Sequence, residues 1–137
     1  MNSRFYIVIA LAVSFILAGC AEKWTFQLKV PRMTKEELKS LLGNPDVIIL
    51  DVRESGDWKE SKWKIPGAVR EDSEKDLNTW ADRYPKDKTL VFYCARPNEE
   101  TSAWTAREFI SRSFKKAFAL KGGWNGWFKA NYPIETK

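Results

Sequence analysis

Histidine is absent from all 137 positions of this chain, and that absence excludes a wide set of chemistries. A Ser-His-Asp triad, a Cys-His nucleophile pair and the HExxH zinc site each need an imidazole. None can be built here. Cysteine is nearly as scarce: only Cys20 and Cys94 occur, so an all-cysteine zinc site is excluded and at most one intramolecular disulfide is available. The one long apolar run, Phe5 to Ala18, is about fourteen residues, short of the roughly twenty that span a bilayer as a helix. Internal repeats and low-complexity segments are missing too.

What is present is ordinary in amount. Hydrophobic residues at 44% and charged residues at 30% are globular values, and the length suits one modest domain. Seven tryptophans are many for this size, and core and rim packing is their expected use. Arg4, the apolar run and the closing Leu17-Ala18-Gly19-Cys20 have the layout of an export signal. That ending resembles a bacterial lipobox, which implies a signal peptide over 1–19, a lipidated Cys20 as mature N-terminus and a short linker through residue 23. The domain proper would occupy 24–137. By the same resemblance the chain belongs in the bacterial cell envelope, lipid-anchored and periplasm-facing, with Ala21 favouring the outer membrane. Loss of Arg4 leaves 22 basic against 18 acidic residues, or +4. The surplus suits an anionic surface or substrate without identifying either. The basic run Arg112-Ser113-Phe114-Lys115-Lys116 reads as a solvated helix end, so no nucleic acid partner is expected.

Along the remaining chain, Trp24, Phe26, Leu28 and Val30 alternate with polar residues, the pattern of a half-buried strand that Pro31 stops. Thr34 with Glu37 predicts a capping box, with Met33 and Leu38 as hydrophobic staple and Gly43 as the helix end. Val47 to Leu50 and Thr89 to Tyr93 are continuous apolar runs, as strands covered on both faces require. Ile65 to Val69 read as a turn into a short strand, and Asp72 to Tyr84 as a helix with Leu77 and Trp80 inward. Thr101 to Ser113 predict a helix with Ala103, Ala106, Phe109 and Ile110 on one stripe. Ala117 to Leu120 form a last short strand before Gly122-Gly123 turn the chain into Trp124 to Ala130, and Pro133 closes the domain. Strands alternating with helices through short connections predict an α/β fold, an open parallel sheet with helices on both faces.

Cys94 follows a buried strand directly, at the carboxyl end where open α/β sheets form their sites. The segment Ala95 to Glu100 would curl around the sulfur while the next helix turns its free N–H groups toward it, which favours a thiolate without any histidine. Arg96 adds a fixed positive charge. A phosphatase loop needs an Arg where Glu100 stands, a thioredoxin motif needs a cysteine where Pro97 stands, and acyl transfer needs a histidine base. Thiolate attack on sulfur, leaving a persulfide on the protein, is the chemistry that survives.

Four motifs in order, Ile48-Ile49-Leu50-Asp51-Val52-Arg53, Ile65-Pro66-Gly67-Ala68, Leu90-Val91-Phe92-Tyr93-Cys94 and Leu120-Lys121-Gly122-Gly123-Trp124, resemble the single-domain rhodanese-like sulfurtransferases. The resemblance implies a rhodanese-like fold with Cys94 as persulfide-carrying nucleophile. Substrate would be bound along Ala95, Arg96, Pro97, Asn98, Glu99, Glu100 and Thr101. It also implies a small sulfane-sulfur donor, a thiol or cyanide-like acceptor, an envelope protein as further partner, and no metal or organic cofactor. Asp51 and Arg53 are expected to be structural. Thr101 and Ser102 either touch the bound sulfur or cap the helix. Trp63, Trp124 and Trp127 either pack or border the pocket. Lys64 replaces a histidine common in the family, Arg96 stands where one subgroup has a second cysteine, and Glu99 and Glu100 make the loop less welcoming to thiosulfate. A lipid-anchored, non-catalytic binding module is the alternative from another class, and thiol-based arsenate or phosphate ester chemistry is the third.

Overall fold

The computed structural model describes residues 29–137. The proposed signal peptide, Cys20 and the linker lie outside these residues, as do positions 24–28 of the expected first strand. Lys29 and Val30, its last two positions, are not in a strand; the first strand, β1, is Arg32–Met33, just beyond Pro31. No described helix is long and apolar enough to cross a membrane.

After β1 come α1 (Lys35–Ser40), β2 (Val47–Asp51), α2 (Ser55–Glu60), β3 (Trp63–Lys64) and β4 (Val69–Arg70). They are followed by β5 (Thr89–Tyr93), α3 (Glu100–Ser111), β6 (Ala117–Leu120), α4 (Gly123–Lys129) and β7 (Glu135–Thr136). Five strands form one sheet in the order β1-β6-β5-β2-β4, and every neighbouring pair is parallel. β3 and β7 make a separate antiparallel pair.

The apolar runs of β2 and β5 feed two cores because alternate side chains leave opposite faces of a strand. Leu50, Leu90 and Phe92 face α3 and pack with Ala106, Phe109, Leu77, Trp80 and Phe114. Ile49, Val91 and Tyr93 face the other way, toward Leu38 of α1 and Trp124 and Trp127 of α4. Both faces are therefore covered, as the unbroken hydrophobicity required. Thr34 caps α1 with the reciprocal Glu37 bond expected of a capping box, and Met33 and Leu38 sit in one cluster.

Two further expectations are corrected. Residues 72–84 are not one helix but two 3₁₀ turns, Leu77–Thr79 and Ala81–Arg83. The carboxylates of Asp72 and Asp76 accept from the N–H groups of Glu74 and Asn78, and such local bonds compete with a regular helix. Leu77 and Trp80 are inward as expected. The buried face of α3 is also rotated: Ser102, Thr105, Ala106 and Phe109 are covered, while Ala103 and Ile110 are only half-buried. α2, β3 and β7 had no sequence signal, being six, two and two residues long, with no buried residue in α2.

Phe109 joins α3 to the sheet, its ring 4.6 Å from that of Phe114 and 4.8 Å from that of Phe92. Phe109→Ala is expected to cost about 3–5 kcal/mol in urea unfolding, since a large buried ring leaves a cavity that close packing cannot refill. A loss under about 1 kcal/mol would contradict this packing.

Candidate active site

Cys94 is the residue after β5, free of any disulfide and 5% exposed. Its thiol lies 3.4 Å from the Ser102 hydroxyl and 4.0 Å from the Arg96 carbonyl. The Ser102 hydroxyl in turn donates to the Glu99 carbonyl at 3.2 Å. In the thiol form a proton chain from sulfur to Ser102 to Glu99 is satisfied. Once sulfur is ionised, the same hydroxyl has only to rotate to donate to it. Burial of a polar residue on α3, which broke the expected apolar stripe, is thus explained by contact with the sulfur.

The loop is held from behind by α4. The N–H groups of Trp124 and Asn125 donate to the carbonyls of Cys94 and Ala95 at 2.8 and 3.1 Å. A trans peptide points its C=O and N–H in opposite directions, so fixing these carbonyls turns the following N–H groups away from α4. No hydrogen bond among the described residues takes up the N–H of Ala95, Arg96, Asn98, Glu100, Thr101 or Ser102. With the positive end of the twelve-residue α3 beside them, these donors suit an anionic or polarised guest.

That guest must be small. Cys94, Ala95, Arg96, Asn98, Glu100 and Thr101 line a cavity of about 30 Å³, comparable to the liquid volume of one water, and Glu54 and Asp57 from the start of α2 complete it. Pro97 is exposed and is not among the lining residues. Glu99 is not among them either. Its backbone is left-handed at φ 59°, and its carboxylate is buried against the loop's far side. There it pairs with Arg32 and accepts from the Gly122 N–H at 2.8 Å, so it braces the loop and offers no charge to the cavity. Of the two loop acids, only Glu100 faces the site. A larger hollow of about 650 Å³ lies beside Lys29, Arg32, Trp104 and Arg107 and contains no nucleophile.

Asp51 and Arg53, both fully buried, form a bidentate ion pair with N–O distances of 2.6 to 3.1 Å. The Tyr93 hydroxyl donates to Asp51 at 2.5 Å; burial and the adjacent carboxylate push this hydroxyl well above its ordinary range, so it remains a donor. Arg53 also donates to the Trp63 carbonyl and lies over the rings of Trp124, Trp58 and Tyr93, while its Nη1 finds no hydrogen-bond partner. The π faces partly offset that deficit. Trp124 and Trp127 are buried packing residues, Trp63 is 39% exposed, and none of the three lines the cavity. Lys64 reaches the Ala68 carbonyl and Glu135, bracing the Ile65 turn. Glu54 and Asp57 were missed because α2 shows no amphipathic pattern that would have located them.

Residues 34–130 match the model of the Rhodanese-like domain. The chain is similar to the thiosulfate sulfurtransferase GlpE of Glaesserella parasuis serovar 5, 22% identical over 103 residues, covering 75% of this chain and 91% of the relative. It is similar also to the thiosulfate sulfurtransferase GlpE of Coxiella burnetii, 28% identical and covering 71% of this chain and 85% of that one. Among solved structures, a protein of Rhodopseudomonas palustris described as a possible tyrosine phosphatase superposes with a TM-score of 0.66 at 28% identity, covering 77% of this chain and 85% of that chain.

The seating of α4 on the loop generates a sharp test. A Cβ on Gly123 would lie 2.5 Å from the Cys94 carbonyl oxygen and 3.0 Å from that of Arg96, at a φ of 57°. Gly123→Ala is expected to destabilise by about 1–3 kcal/mol, as overpacking against backbone does. Gly126→Ala, with open space around it in α4, should be neutral or stabilising by about 0.5–1 kcal/mol. Equal urea midpoints for the two variants would contradict the close approach.

Proposed function

Since the chain belongs to the rhodanese-like domain family, we propose that it is a sulfurtransferase in which Cys94 carries the transferred sulfur as a persulfide. The observation that carries the reading is the pairing of a near-buried thiol with a small cavity lined by loop residues whose N–H groups have no acceptor among the described residues. The Cys94 thiolate attacks the sulfane sulfur of a donor. With thiosulfate as test donor, the new S–S bond forms as the old one breaks, and sulfite leaves with its electron pair. The persulfide Cys94–S–S⁻ keeps its terminal charge beside the N–H donors, which stabilise anionic sulfur as an oxyanion hole stabilises oxygen. A thiol or cyanide then attacks the outer sulfur and regenerates the thiolate. No metal or organic cofactor takes part in this scheme.

Backbone donors and the Ser102 hydroxyl do here what a histidine does in other cysteine enzymes. Phosphate ester chemistry is less well supported, because an aryl phosphate would meet Glu54, Asp57 and Glu100 and a cavity of about 30 Å³. In the same reading Cys20 is acylated and tethers the domain to the periplasmic face of an envelope membrane, the outer one in preference, within reach of an envelope protein partner. The sequence Leu17-Ala18-Gly19-Cys20 supports this.

Intact-mass analysis of the chain purified from a bacterial envelope and incubated with a sulfane donor is expected to find lipid on Cys20 and the added mass of one sulfur on Cys94. Cyanide should remove that sulfur as thiocyanate. Cys94→Ser should abolish both loading and transfer; retention of either by this variant would overturn the mechanism.

A further inference from the structure

The cavity at Cys94 is bordered by three carboxylates. Glu54 stands at the residue before α2 and is exposed, Asp57 is half-buried in the first turn of α2, and Glu100 is the exposed first residue of α3. All three line the same small cavity as the thiol. Among the described residues none of these carboxylates enters an ion pair or accepts a hydrogen bond, although seven of the other acidic side chains do so in ion pairs alone. The one opposing charge among the lining residues is Arg96, also exposed.

We propose that Glu54 and Asp57, together with Glu100, are specificity-determining residues that turn dianionic donors such as thiosulfate away from Cys94. They favour instead a sulfane-sulfur donor on an uncharged or cationic carrier, such as an organic hydropersulfide. The proposal rests on the sulfurtransferase reading above and names its donor class. A dianion feels each carboxylate twice as strongly as a monoanion at the same distance. A hydropersulfide R–S–S–H carries at most one negative charge, which a cationic R group offsets, so the same carboxylates repel it less. The Cys94 thiolate bonds to its outer sulfur, the donor S–S bond breaks, and the electron pair leaves with R–S⁻. The proton stays on the transferred sulfur or passes to R–S⁻, and no external oxidant or reductant is consumed.

Charge preference at Cys94 can be read without any sulfur transfer. The full chain is treated with the cationic reagent 2-(trimethylammonium)ethyl methanethiosulfonate and, separately, with its anionic 2-sulfonatoethyl counterpart. Each joins its thioalkyl group to a thiolate and releases methanesulfinate; the reaction is timed on the Cys94 peptide by mass spectrometry against 2-mercaptoethanol as reference. The cationic reagent is expected to react faster, relative to the reference, by on the order of tenfold. That ratio should fall by a similar factor in Glu54→Gln/Asp57→Asn and shrink at high salt. The same double variant should gain in sulfur loading from thiosulfate relative to cysteamine persulfide, and Glu54→Lys alone should move both readouts in that direction. A wild-type ratio near one, or a ratio unmoved in folded variants, overturns the proposal. Loading from neither donor overturns the sulfurtransferase reading, and the donor preference falls with it.

Discussion

The backbone contact between the start of α4 and the Cys94 loop is the constraint on which the site depends. Two hydrogen bonds, Trp124 N–H to the Cys94 carbonyl and Asn125 N–H to the Ala95 carbonyl, fix which way those two peptides face. Reversing them would point carbonyl oxygens at the sulfur, and an anion there would meet partial negative charge. The contact requires backbone against backbone at Gly123, which is why a glycine pair precedes Trp124. Glu99 reinforces the same seating from the side, tying the loop to Arg32 and to the Gly122 N–H at once. One helix start thus loses its own anion-binding donors so that the next loop can present its N–H groups to a guest.

Below that contact, the sheet keeps the strand ends in register. Asp51 is paired with Tyr93 across β2 and β5, and the Tyr93 hydroxyl reaches the Asp51 carboxylate that also grips Arg53. A buried ion pair of this kind is weak evidence for net stability, because desolvation offsets most of its attraction. Removing one partner, however, strands a charge in the core. Its structural consequence is specificity of position: Arg53 spans from β2 to the Trp63 carbonyl and lies against Trp124, the residue whose N–H holds the Cys94 carbonyl. The ion pair and the loop therefore share a neighbour.

Much of this was legible in the sequence wherever a single local rule decides. The capping box at Thr34, the doubly covered strands 47–50 and 89–93, and the turn at Gly122-Gly123 depend on residues within a few positions of one another. The parallel order followed from their alternation with helices. What escaped was set by tertiary contact. Ser102 and Thr105 are buried on α3 although they are polar, because Ser102 meets a sulfur and Thr105 satisfies its hydroxyl on the Thr101 carbonyl. Residues 72–84 have helical periodicity, but Asp72 and Asp76 bond to the backbone two positions on. Glu99 and Glu100 are neighbours of one chemistry in the chain and opposite in use, because the left-handed backbone of Glu99 itself, where loop passes into helix, sends them different ways.

Two electrostatic ranges meet at Cys94, and their difference is what an anionic intermediate needs. N–H dipoles act at contact distance and fade quickly, so they stabilise negative charge that is already on the sulfur atoms. Full charges at Glu54, Asp57 and Glu100 act across the solvent outside the cavity, so they bear on a molecule before it arrives. A site can therefore hold an anion well and still admit anions poorly. Under the proposed mechanism the terminal sulfur of the persulfide is made in place and does not pass the carboxylates as an ion, whereas thiosulfate does. The proposed mechanism thus assigns retention of the bound sulfur and choice of its donor to different residues of one small pocket.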